Sequence, residues 1–95
     1  MLKSLTDLLI NELRDLYSAE TQLVAALPEM EAAANDPDLK AAFRDHLEET
    51  KGHVERLDRI SKILNVSLQG ETCAAMKGLI EEGSEIISLD AESHV

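Results

Sequence analysis

The sequence has no tryptophan, one tyrosine, one phenylalanine and one cysteine, with two prolines and four glycines in 95 residues. So few aromatics and turn formers disfavour a sheet protein, whose strands draw on aromatic and β-branched residues closed by glycine- and proline-rich turns. Cys73 cannot close an internal disulfide alone, so no covalent staple supports the thin core of so short a chain, and a reducing compartment is expected. Basic residues are scarce as well. Nine lysines and arginines stand against nineteen aspartates and glutamates, a net charge of −10. That balance repels phosphate backbones and anionic headgroups, which makes nucleic acid and membrane surfaces poor partners and cations better ones, although acidity also serves plain solubility. No apolar run approaches the roughly 20 residues needed to span a bilayer, and Met1-Leu2-Lys3-Ser4 lacks the features of a secretory signal. A cytoplasmic location is the expectation, and a monomer of this size is expected to be marginal.

What the chain does hold is leucine, glutamate and alanine, the composition of an all-α protein forming one domain over residues 1–95. A first helix is expected from about Leu5 to about Ala33, opened by Ser4 as N-cap with Asp7 three residues on. Its apolar residues Leu5, Leu9, Leu16, Leu23, Leu27 and Met30 recur at helical spacing, and Pro28 inside the pattern predicts a kink near residues 24–28 rather than a stop. In Asn35-Asp36-Pro37-Asp38, Asp36 is a natural N-cap and Pro37 fits the first helical position. The second helix should carry Leu39, Phe43, Leu47, Thr50, Val54, Leu57, Ser61 and Leu64 on one face and end near Asn65, forming an antiparallel hairpin with the first. A third, shorter helix should begin near Thr72 with Met76, Leu79, Ile80, Gly83, Ile86 and Ile87 inward, and the tail from Leu89 to Val95 should fray.

At 100° per residue, centring the first apolar stripe on Leu16 puts Glu12 and Glu20 inside it. Centring the second helix on Thr50 puts His46 and His53 within its apolar arc, Glu49 on the edge, and Glu48 and Glu55 on the wet side. A carboxylate among leucines costs several kcal/mol unless it is protonated, paired or bound to metal. Glutamates and a histidine on facing helices are the ligands with which four-helix bundles hold two iron or manganese ions, and the absence of thiolate argues against structural zinc. The plainer reading stands beside it: Glu12 in water at a bundle end, His46 or His53 hydrogen-bonded to a neighbour, Tyr17 as a rim tyrosine or a group beside the metal, and Cys73 as a packing residue.

The runs "ELRDLYSAE" (Glu12–Glu20), Ala26-Leu27-Pro28, His46-Leu47-Glu48-Glu49-Thr50 and Ala75-Met76-Lys77-Gly78-Leu79-Ile80-Glu81-Glu82 closely resemble the YciE/YciF family of ferritin-like proteins. The resemblance spans nearly the whole chain and implies a ferritin-like bundle with a carboxylate-bridged di-iron site, ferroxidase activity and a link to stress responses. It implies Glu20 as the first-helix metal ligand, Glu49 as the bridging carboxylate, and His53 at a position where members often carry glutamine or histidine, with His46 its rival as nitrogen ligand. Family members resemble chains of about twice this length, with two further long helices. The expectation is therefore a ferritin-like hairpin plus a short third helix that completes a four-helix bundle by self-association, a homodimer or larger, each chain supplying Glu20, Glu49 and His53 to two iron ions, with manganese as the alternative. The rival expectation is a non-enzymatic acidic oligomerisation module, or a piece of a longer chain, without the metal site.

Overall fold

Ser4 opens the first helix through its hydroxyl, which accepts the Asp7 backbone N–H at 3.1 Å and satisfies one of the free donors of the first turn. The computed structural model describes residues 4–93, and side-chain burial through residue 89. Its elements are α1 (Leu5–Ala33), α2 (Pro37–Leu64) and α3 (Ala74–Ser93), with no strand among the described residues. Helix α1 runs on through Pro28 without a stop. Asp36 caps α2 by accepting the Asp38 N–H at 3.0 Å, with Pro37 in the first turn where a missing donor costs nothing. At its other end Asn65 takes the left-handed conformation at φ 55°, which asparagine tolerates better than most residues. Asn65 N–H donates to the Lys62 carbonyl and Val66 N–H to the Ser61 carbonyl, the paired bonds of a Schellman stop.

Helices α1 and α2 form the expected antiparallel hairpin. Near the turn, Glu31 on α1 meets Arg44 at 3.3 Å, and its carbonyl accepts from Lys40 Nζ at 3.0 Å. At the far end, Arg14 Nε donates to the Ser67 carbonyl at 3.0 Å. Cys73 precedes α3 and its carbonyl accepts the Lys77 N–H, closing the first turn. The segment between α2 and α3 is fastened to α1 by polar groups. Ser18 Oγ accepts the Cys73 N–H at 2.8 Å, and Gln22 Nε2 donates to the Cys73 carbonyl at 3.1 Å. Helix α1 thus has α2 and α3 as neighbours, while α2 and α3 make no close approach to each other.

The core is narrow: Ala26, Leu27, Leu57, Leu68 and Cys73, with Ser18 and a fully buried Thr50. A compact domain of this length has a radius of gyration of about 12 Å, and this chain has 16.2 Å, with extents of 54 × 25 × 16 Å. It is a slab with an uncovered side. Several expectations about burial fail for that reason, among them Leu39, Leu64, His46 and His53 of α2, which are exposed. Leu5, Leu9 and Leu16 are 85 %, 51 % and 46 % exposed although they share the apolar stripe of α1. Glu12, expected in the same stripe, is exposed too. On α3, Leu79, Ile86 and Ile87 are exposed while Met76, Ile80 and Gly83 are half-buried, because α1 covers one side of α3 and α2 does not reach the other. Helix α3 also continues to Ser93 instead of fraying from Leu89, since no helix breaker follows Gly83; the last two residues of the expected tail lie outside the described residues.

Candidate metal-ligating face

Glu20 lies mid-way along α1, and the antiparallel pairing sets it opposite His53 on α2. Glu20 Oε2 and His53 Nδ1 are 3.4 Å apart, longer than an ordinary hydrogen bond. The glutamate side chain is 17 % exposed and the imidazole 47 % exposed, so the pair sits at the edge of the uncovered side. An ionised carboxylate only accepts, so a hydrogen bond across this contact is one that His53 Nδ1 donates, with Nε2 the ring nitrogen turned away from Glu20. Glu49 is one turn before His53 on α2 and is exposed. The structure brings together two of the three expected ligands, Glu20 and His53, and leaves Glu49 one turn away from His53 on α2.

The other candidates divide clearly. His46 is exposed on α2, one turn before the buried Thr50, with its Nδ1 at 3.2 Å from Thr50 Oγ1. Glu12 stands two turns from Glu20 and lines a shallow polar pocket of about 220 Å³ with Asn11, Asp15 and Glu71. The Tyr17 hydroxyl is turned to α2 and the following loop: burial raises its pKa above the ordinary tyrosine value, the Asp58 carboxylate and its hydrogen bond add to that rise, and Gln69 works against it. Cys73 is buried with Sγ 3.6 Å from Asp15 Oδ2, a packing residue as expected. The sequence names none of these partners: Asp58 and Gln69 for Tyr17, Thr50 for His46, Asp15 for Cys73. The contact of His46 with Thr50 had a sequence signal, since His46 and Thr50 are four apart on one helical side.

Among the described residues, no three histidine, cysteine, aspartate or glutamate side chains converge closely enough to hold a metal ion. Carboxylate and imidazole donors suit iron or manganese. Their number in one chain does not complete a coordination shell, and their position on an uncovered side leaves room for more. No helix among the described residues is long and apolar enough to cross a membrane.

A long helical hairpin with a docked third helix and a carboxylate–imidazole pair on its open side is a ferritin-like half-bundle. The chain belongs to the family described as a domain of unknown function, DUF892, whose model matches residues 4–95. It is 40 % identical over 95 residues to the Escherichia coli (strain K12) protein YciF, covering 99 % of this chain and 57 % of that protein. The crystal structure described as the E. coli stress protein YciF matches with TM-score 0.84 and 42 % identity, over 90 % of this chain and 55 % of that one. YcfI from Rhodopseudomonas palustris matches with TM-score 0.83 and 43 % identity, over 88 % and 54 %. The chain spans a little over half the length of these relatives.

Proposed function

We propose that the chain is a ferritin-like di-iron binding protein, with ferroxidase activity in iron handling or stress response, whose site forms between the hairpins of two copies. The observation that carries this reading is the Glu20–His53 pair, set between helices on a face that one chain leaves uncovered. A two-fold axis across that face doubles the set to four carboxylates and two imidazoles from Glu20, Glu49 and His53, the donor count of a di-iron bundle. Glu20, Glu49 and His53 would hold the iron as carboxylate and imidazole ligands. Bound iron would supply the redox chemistry, with oxygen or peroxide as the oxidant. The protein supplies an oxygen-rich shell that favours the ferric state, and ligation offsets the cost of carboxylates placed against leucines, so assembly and metal loading stabilise each other.

The rival reading, an acidic helical oligomerisation module without metal, draws on the absence of a three-donor cluster among the described residues of one chain. Metal analysis and oligomeric mass on the same purified sample separate the two. About one iron per chain in a dimer, a melting temperature that falls with chelator, and loss of Fe(II) oxidation in Glu49→Ala support the site. A dimer without metal after growth in added iron, equally stable with and without chelator, overturns it.

A further inference from the structure

Thr50 is the one side chain of the hairpin that is fully buried, and it is polar. Its hydroxyl makes two contacts: Oγ1 lies 2.7 Å from the His46 carbonyl and 3.2 Å from His46 Nδ1. A hydroxyl has one hydrogen, and the shorter contact, to the carbonyl, takes it, as threonine does when it bonds back one helical turn. Oγ1 is then an acceptor toward the ring. The 3.2 Å contact is a hydrogen bond only if His46 Nδ1 carries the proton, which leaves the lone pair on Nε2 of an exposed side chain. His53, seven residues on, has its own Nδ1 against Glu20. Residues seven apart on a helix differ by about 20° around the axis and about 10 Å along it. One side of α2 thus presents two imidazoles with the same ring nitrogen occupied and the same one free, with Glu49 between them.

We propose that Thr50 is a positioning residue that holds His46 in its Nδ1-protonated tautomer, so that His46 offers Nε2 as a second nitrogen donor to a divalent transition-metal ion. The metal half rests on the reading above, while the tautomer stands on the geometry of one chain. Orienting partners of this kind typically change metal affinity by about 10- to 100-fold when removed. Threonine performs the task without adding charge to the core.

The test is nitrogen-15 NMR of the histidine rings in the metal-free full chain, at about pH 8.5, roughly two units above the ordinary imidazole pKa. His46 should show a protonated Nδ1 and an unprotonated Nε2 in the native protein and in Thr50→Ser. In Thr50→Val it should revert toward the Nε2-protonated form that a free histidine favours. An Nε2-protonated His46 in the native protein overturns the proposal, and needs no variant to fold. Zn²⁺ titration on the same samples should move His46 Nε2, with about tenfold weaker affinity in Thr50→Val and recovery in Thr50→Ser. If His53 responds to Zn²⁺ while His46 does not, the second donor is refuted and the di-iron reading survives. If His46 has the expected tautomer and neither ring responds, the donor role and the di-iron reading fall together.

Discussion

Replacing Leu16 by alanine tests whether a second copy covers the open face. Full burial of a leucine side chain is worth about 1.5–3 kcal/mol. Leu16 is 46 % exposed, so about 1 kcal/mol per chain remains to be gained at an interface. In a two-fold dimer the truncation acts twice, about 2 kcal/mol in all, or about thirtyfold in Kd. Leu9 is 51 % exposed and two turns away, far enough to add independently, so the Leu9→Ala/Leu16→Ala double variant should weaken the dimer by close to about a thousandfold. Sedimentation velocity over a concentration series reads Kd directly, and urea unfolding at high dilution should show Leu16→Ala costing the single chain only about 1 kcal/mol. Leu57→Ala is the contrast. Leu57 is 4 % exposed, so its loss should destabilise the chain by about 2–5 kcal/mol at any concentration. A dimer whose Kd stays within about twofold in Leu16→Ala would refute the assignment of this face, because the lost burial cannot vanish from an interface that contains it.

Two further outcomes follow from the loop that joins α2 to α3. Ser18→Ala leaves the buried Cys73 N–H without its acceptor and should cost about 1–3 kcal/mol in urea unfolding, whereas Ser18→Thr should recover part of it. Tyr17 has its pKa raised by burial and by Asp58, so the fold favours the neutral phenol; that stabilisation is complete below the ordinary tyrosine pKa of about 10 and is lost as pH rises through the higher folded value. Tyr17 is the single tyrosine in a chain without tryptophan, so tyrosinate absorbance reports it alone, and Tyr17→Phe should flatten the alkaline fall in stability.

The helices and the hairpin were legible because their signals are local. Ser4 with Asp7, and Asp36 with Pro37, mark helix starts by chemistry that acts within one turn, and both caps are in place. On α2 the centre of the apolar face was legible, with Thr50 and Leu57 buried, whereas Leu39, Leu64, His46 and His53 on the same arc are exposed. Periodicity marks which side of a helix is apolar, and it carries no information about what covers that side. Leu5, Leu9 and Leu16 therefore read as core and stand open, as do Leu79, Ile86 and Ile87. The anchoring of the loop was not legible either. Ser18 and Gln22 are unremarkable polar residues in a helix, and the acceptor and donor they meet, the Cys73 backbone, are identical at every position of every chain. Of the site, Glu20 and His53 are residues the family resemblance implies, and the structure sets them 3.4 Å apart across the hairpin.

The spread of contact separations along the chain sets an order of assembly. The ties near the turn join Glu31 to residues nine and thirteen positions away, whereas Gln22 and Ser18 reach Cys73 across 51 and 55. Closing a short loop costs less chain entropy than closing a long one, so the hairpin zips from its turn and α3 docks afterwards, the last element to arrive and the first to leave. The Glu20–His53 pair belongs wholly to the early-forming part. Helix α3 therefore docks onto a hairpin whose Glu20–His53 pair is already in place, and its departure leaves that pair intact.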